Sequence, residues 1–508
     1  MNIPILLGRA LIGPSIHEGE DMKYYNLLGV AMVLGLSACS QDSGNDSPQA
    51  MTPERAQTAA TIEEVADAMG LAGVDSLSIT GTAWRIRNSF RQTLTASPPW
   101  PEHDEITNWV QTIDLESPAM LGQGDTFSSN LFLEPPVAGT HINNVPVGST
   151  SWGRQLEIWL TPWGFVKGAQ NAGSQGELMT MDGESYTRFS WQTGDDMVSP
   201  SGMHYTVNGY ANSDNLIVRT ETWVEDAFMG DMHVVGVYAD YQDFDGLMVP
   251  ATFEQQRGGG GIFGVQVASA QANPVNLEAL LTAPPANAPN FGGGGDRPDD
   301  LTEDLGDGAW LVKGAYVALV VEFSDHLAVV EAGQNEANGE LIIQQIRQHI
   351  SDKEIRYVMN SHPHSDHTGG LPPLIREGAA LVTHEKNVAF MDMALNTPRT
   401  LLGEEDLNAR VIGVEGVGIY EDVMNRLELH PVPNLHTEGM LVAVLPKQGV
   451  MFEADFTLPQ PGREANPFVK TLARYARDND IQFDRYLAVH PAAVPQNRDD
   501  LMATIENE

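Results

Sequence analysis

Ser361-His362-Pro363-His364-Ser365-Asp366-His367-Thr368-Gly369-Gly370 decides how this chain is read. Three histidines and one aspartate fall within six residues, just after the apolar run 355–359 and just before a Gly-Gly pair that starts a helix. A loop beyond a strand end is where side chains with a shared task gather, and imidazole plus carboxylate suits a borderline divalent cation. In a chain with 14 histidines among 508 residues, such a cluster is rare by chance. His362 and His364, two apart, reach one ion together, whereas Asp366 and His367 project from the next turn toward a second. Two cations a few ångströms apart are an established hydrolytic device.

Composition supports this reading by exclusion. Lys+Arg 28 against Asp+Glu 68 leaves a formal net charge of −40, which repels phosphate backbones and speaks against a nucleic-acid partner. A single cysteine rules out a disulfide framework and any Cys-rich zinc or iron–sulfur site, so histidines and carboxylates remain as ligands. Around the cluster the pattern is that of α/β layers. Short apolar strands are expected at 310–312, Val317–Glu322 and 327–330, then a helix over 336–350 with Ile342, Ile346 and Ile350 on one face, then the strand 355–359.

H-x-H-x-D-H followed by Gly-Gly resembles the metallo-β-lactamase superfamily, and later segments follow that family's order. Asn434-Leu435-His436-Thr437-Glu438-Gly439 resembles its second ligand motif, strand Leu441–Leu445 and strand Val450–Glu453 lead to Asp455, and the run 486–489 leads to His490. The resemblance implies that His362, His364 and His436 bind the first ion and Asp366, His367 and His490 the second, with Asp455 bridging. It also implies an αββα sandwich over 300–508. The nearest likeness is to exported hydrolases with the wording S-H-x-H-S-D-H-T-G-G, E-G-A-x-L-V-T-H-E-x-N and H-T-x-G-M-L-V-A-x-L-P-K. Glu331 stands where many members carry a supporting aspartate, Leu435 and Pro491 stand where glycine is common, and none of these changes removes a ligand. Asp455 favours a lactonase, glyoxalase II-like or esterase-like member over a β-lactamase proper.

The chemistry expected is hydrolysis of a carbonyl in a small molecule: a lactone, ester, thioester or lactam. Two divalent ions, zinc being the one that nitrogen and carboxylate ligands suit, would turn a bridging water into hydroxide at ambient pH, with Asp366 orienting it and carrying its proton. A sulfate-ester or phosphodiester hydrolase on the same scaffold is the alternative within enzymes. A lipoprotein carrier with an accessory metal domain is the alternative outside them. His384, in Val382-Thr383-His384-Glu385-Lys386-Asn387, is a candidate substrate contact and is kept off the metal set. His326, His349 and His430 are read as solvated.

Upstream, residues 52–285 read as a mainly antiparallel β domain, opening with a helix that starts at Thr52-Pro53. Strands are expected at 77–82, 155–160, 215–222 and 233–241. The stretch Tyr238-Ala239-Asp240-Tyr241-Gln242-Asp243-Phe244-Asp245-Gly246-Leu247-Met248-Val249-Pro250 looks like the periplasmic lipoprotein-carrier (LolA-like) sheet domains, so the whole is assigned to the α+β class. A Gly/Pro linker over 286–299 separates the two regions. At the start, Met22 and Lys23 precede an apolar run from Leu27 to Leu36 that is too short to span a bilayer and ends Leu36-Ser37-Ala38-Cys39. This resembles a bacterial lipobox. It implies translation from Met22, export, a lipid on Cys39, a tether over 40–51, and a periplasmic place on the outer membrane, because Ser40 follows the cysteine. Nothing in the sequence specifies the oligomeric state.

Overall fold

A computed structural model of the chain describes residues 59–87, 91–100, 103–128, 137–282, 299–459, 464–490 and 495–506. Cys39, the tether, the helix start at Thr52-Pro53, nearly all of the 286–299 linker and Pro491 lie outside these residues. Among the described residues no helix is long and apolar enough to cross a membrane.

The first region is one antiparallel sheet of eleven strands between Ser76 and Ala272. Neighbours follow chain order except at one seam, where the first strand, Ser76–Ile86, pairs with His103–Asp114 on one side and with the last strand, Gly260–Ala272, on the other. Alternation sets its faces: Leu77 and Ile79 are buried while Ser78 and Thr80 point outward and bond Thr112 and Ser269. The register slips at Gly81, where the backbones pass so closely that a Cβ would lie 1.9 Å from the Gln266 carbonyl oxygen.

Three helices cover one face. Ile62–Ala68 is closed by a capping box between Thr61 and Glu64, so the helix begins here. The segment read as a strand at 155–160 is the helix Trp152–Trp159. Leu156, Ile158 and Leu160 imitate a period of two, but Trp152, Leu156 and Trp159 form one helical face, and Trp159 Nε1 donates to Gln155 Oε1 one turn back at 3.0 Å. The next helix, Pro162–Ala172, starts with Thr161 as cap and proline in its first turn, and its Phe165 packs onto the bare backbone of Gly209. Thr220 Oγ1 and Tyr238 Oη, both on the sheet, donate to the Leu160 carbonyl between the two helices.

The second region is a sandwich of a seven-stranded and a five-stranded sheet. Leu319, Val321 and Val330 of one sheet meet Leu429, Val442 and Phe452 of the other in a shared apolar core. Helix Glu336–Gln345, which ends in a π turn, and helix Leu371–Arg376 cover the outside of the larger sheet, while helix Pro467–Asp478 covers the smaller one. This is the αββα layering expected. In the larger sheet His326–Val330 runs parallel to Glu354–Met359, in a parallel run that continues through Ala380–His384 to Val411–Val414, and in the smaller sheet Val450–Glu453 runs parallel to Arg485–Ala488. Each pair therefore ends at one edge, and Glu331, Ser361, Asp455 and His490 follow directly.

The two regions share an apolar core that runs from Phe165 and Phe228 to Phe390, Leu401 and Ile342. A polar network around one buried arginine pins the seam. Arg399, with a fully buried side chain, donates from Nε to Glu404 at 2.8 Å and from Nη2 to the carbonyl of Ala227 at 2.6 Å. Asp231 in turn caps Thr400 and Leu401, accepting from the Leu401 amide at 2.9 Å. Removing one member of a buried charge pair leaves the other uncompensated. Arg399→Ala should therefore lower unfolding stability by about 3 kcal/mol, at the modest end because its partners are partly solvated. Arg399→Lys should recover little of it, since an ammonium cannot reach both partners as the planar fork does. Urea-induced unfolding of the three proteins checks both.

Candidate metal centre

The edge of the sandwich collects the seven side chains singled out from the sequence. His362, His364, His436 and Asp455 each offer a ligand atom within 4.8 Å of the others, and Asp366, His367, Asp455 and His490 do the same. Asp455 is common to both groups. Its Oδ2 lies 3.0 Å from His362 Nε2, 3.0 Å from His436 Nε2 and 3.2 Å from His367 Nε2, and its Oδ1 lies 2.9 Å from His490 Nε2. Asp366 Oδ2 faces His367 Nε2 at 3.3 Å and His490 Nε2 at 3.7 Å.

Local folding explains the placement. His362 follows strand Glu354–Met359, and Ser365–Thr368 closes a single helical turn that brings Asp366 and His367 into the second ligand group while His364, just before it, belongs to the first. Gly369 and Gly370 let that turn lie against the 332–335 loop, since a Cβ at Gly369 would meet the Gln334 carbonyl oxygen at 1.8 Å. Asp455 and Glu331 both hold the left-handed backbone region, with φ of 64° and 72°, a cost of order 1–3 kcal/mol each that concentrates at functional sites.

The hydrogen bonds show which imidazole nitrogens are free. His367 Nδ1 donates to Glu331 Oε2 at 2.7 Å, and Glu331 Oε1 accepts from the Ser361 amide at 2.7 Å, so one carboxylate fixes both the ring and the ligand loop. His364 Nε2 donates to the carbonyl of Thr93 at 3.1 Å. A carbonyl can only accept, which leaves the lone pair on His364 Nδ1, buried and without a hydrogen-bond partner, while His367 Nε2 faces the Asp455 and Asp366 carboxylates and offers a lone pair to a cation once the ring gives up its proton. His362 Nδ1 meets Ser361 Oγ at 2.8 Å, and its Nε2 faces inward. Buried lone pairs converging on a carboxylate, each ring oriented from behind, are what a cation requires. The residues present fit a metal centre.

Electrostatics agree. Burial, aided by His367 and His364, pushes His362 well below the ordinary imidazole value, and burial together with His436 takes His364 down to about 3. Burial opposes charge on His367 too, but the Asp455 and Glu331 carboxylates outweigh it and hold that ring well above the ordinary value. Burial works against the Asp366 carboxylate, yet hydrogen bonds from His367 and Gln92 keep it well below the usual range; Asp455 is held down likewise by His367, His362 and His436.

Several neighbours carry no sequence signal. Tyr316 sets its ring edge-on to His367 and His490, and Phe468 does so to His436. Gln92, from the other region, donates to Asp366 across 274 residues of chain. His384 is not brought into the cluster: its Nδ1 accepts from the Lys386 amide at 3.1 Å and starts a short turn. His430, expected in solvent, is buried, with Nε2 bonded to Glu428 at 3.0 Å, because strand Arg426–Pro431 turns it against Tyr475.

Residues 312–498 match the metallo-beta-lactamase superfamily and form a domain of that superfamily within the longer chain. Among solved structures, a metallo-beta-lactamase from Pontibacter korlensis is 15% identical, with 41% of this chain and 99% of that one covered and a TM-score of 0.33. The metallo-beta-lactamase FIM-1 from Pseudomonas aeruginosa, in a mono-zinc form, is 18% identical, with 41% and 95% covered and a TM-score of 0.32. One from Hirschia baltica is 18% identical, with 40% and 94% covered and a TM-score of 0.31. No curated protein matches the chain.

Glu453 lies behind Asp455, fully buried, and burial pushes its carboxyl up to about 8 although the Phe456 amide donates to it. The unfolded chain ionises near the ordinary value of 4.5, so the folded state holds the extra proton between 4.5 and about 8. The stability this proton supports is complete below 4.5 and is lost as pH rises through about 8. Glu453→Gln keeps an acceptor oxygen without the titration. In chelator-treated protein its melting temperature, relative to wild type, should rise steadily from acid to pH 8, and parallel melting curves across that range would refute the buried-acid assignment.

Proposed function

We propose that this chain is a metal-dependent hydrolase that cleaves a carbonyl bond in a lactone, ester, thioester or lactam at a centre of two divalent ions. The observation that carries the reading is the pair of ligand groups sharing Asp455, with the buried lone pair of His364 Nδ1 and the inward-facing Nε2 of His367 turned into them. Zinc suits the set of five imidazoles and two carboxylates. Two such ions would lower the pKa of a shared water toward neutrality and polarise the carbonyl oxygen under attack. The remaining work falls to the chain. Neutral His362 and His364 offer nitrogen lone pairs without first losing a proton. Asp366, more exposed than Asp455 at 23% against 16%, orients the nucleophile and hands its proton to the leaving group.

Purified protein should carry two divalent ions per chain and lose activity on chelation, which a metal assay beside a screen of lactones, esters, thioesters, sulfate esters and β-lactams would measure. Asp366→Asn should retain metal but lose about 10²-fold or more in kcat, most for poor leaving groups. A single ion in fully active wild type overturns the dinuclear centre, and near-normal turnover by Asp366→Asn overturns the proton transfer.

A second reading has one observation in its favour. A mainly apolar cavity of about 750 Å³, bordered by Tyr205, Trp223, Met229, Met232 and Met393, opens between the eleven-stranded sheet and the sandwich, apart from the ligand cluster. It supports a carrier role in which the sheet region binds an apolar molecule. Retained binding of a hydrophobic dye after chelation, with hydrolysis gone, would separate that role from catalysis.

The lipobox-like run ending at Cys39 supports export and lipid anchoring to the outer membrane, facing the periplasm. Cys39→Ser should leave the protein uncleaved or soluble in cell fractionation. Unmodified wild type in the cytoplasm would refute the anchor.

A further inference from the structure

The metal cluster is assembled from one region but enclosed by the other. The loop beginning at Arg91, which follows the first strand of the eleven-stranded sheet, touches the segments that carry His364, Asp366 and His436. The Arg91 carbonyl accepts from the Ser365 amide at 3.0 Å, and the Thr93 carbonyl accepts from His364 Nε2 at 3.1 Å. The Leu94 carbonyl accepts from the Glu438 amide at 2.8 Å and from Thr437 Oγ1 at 3.1 Å, just after His436. Gln92 Nε2 donates to Asp366 Oδ1 at 2.7 Å and to Ser365 Oγ at 3.0 Å.

This loop is fastened rather than draped. The Arg91 side chain, 9% exposed, lies over the Phe228 ring at 4.3 Å, pairs with Asp226 at 3.4 Å and donates to Thr368 Oγ1. Asp226 and Phe228 belong to the turn that also carries Ala227, the acceptor for Arg399. One buried seam thus sets the position of the loop, and the loop sets the ligands.

We propose that Gln92 is a positioning residue for the second metal site, supplied by the N-terminal sheet region and acting through Asp366. This rests on the dinuclear reading above. The chemistry favours an amide. It occupies Asp366 Oδ1 and leaves Oδ2 aimed at His367 and His490, so the carboxylate does not rotate out of the site. It does so without charge: a cationic donor would compete with the metal for the carboxylate, and a second carboxylate would repel it.

The test uses the full chain, stripped of metal and titrated with cobalt(II) against a competing chelator, with visible absorption following each site in turn. Gln92→Met has nearly the same shape and no donor; Gln92→Glu keeps polarity and adds charge. Both should bind the first ion as wild type does and the second about 10–100-fold more weakly, with altered cobalt bands at that site. Melting temperatures of the metal-free proteins should stay together. Folded variants that bind both ions with wild-type affinity overturn the role of Gln92, as does an equal loss at both sites, which marks a merely structural effect. Wild type that binds fewer than two ions overturns the dinuclear reading and this inference with it.

Discussion

The Asp455 carboxylate lies within 3.2 Å of four imidazoles, and much of the sandwich edge exists to make that approach tolerable. Four rings cannot all be charged around one anion, nor can one anion with Asp366, Glu331 and Glu453 close by stay uncompensated in a buried place. The chain resolves this with division of charge. His367 takes up the positive charge, His362 and His364 stay neutral, and Glu453 keeps its proton. A bound cation would replace that fragile balance with a stronger one, which is why the same arrangement suits a metal.

Backbone geometry serves this constraint. Parallel strand pairs in both sheets end at the same edge, so loops from distant parts of the chain arrive together without long excursions. Strained backbone at Glu331 and Asp455 is tolerated because β-sheet on one side and hydrogen bonds on the other leave those residues no alternative. Glu331 shows how economical the arrangement is. Its side chain spans from the Ser361 amide to the His367 ring and fixes both.

The eleven-stranded sheet is part of the centre as well as its neighbour. Arg399 and Asp231 hold the hairpin turn at 226–231 to the sandwich, Arg91 stacks on that turn, and the loop that follows Arg91 closes behind His364 and Asp366. Disturbance of the seam therefore reaches the ligands through a chain of direct contacts, and the two regions are energetically one unit at this place.

Much of the centre was legible in the sequence because its ligands sit on short local patterns. H-x-H-x-D-H forces four side chains onto one loop and one helical turn, and the strands before Asp455 and His490 show their apolar runs plainly. The layer order of 300–508 was legible for the same reason: buried strands and one-faced helices have periods that neighbours in sequence reveal. What failed was whatever depended on distant partners. Residues 155–160 carry both periods, and only packing of Trp152 and Leu156 against the sheet selects the helix. His430 is buried by a tyrosine 45 residues away. Gln92 sits in a polar loop with no pattern of its own, and it meets Asp366 only because two cores merge and bring together residues 274 apart. Sequence by itself determined which groups can bind a cation and the strand ends that present them. The tertiary structure decided which nitrogen of each ring faces inward and what holds the carboxylates still, because those are set by hydrogen bonds between segments that no local spacing connects.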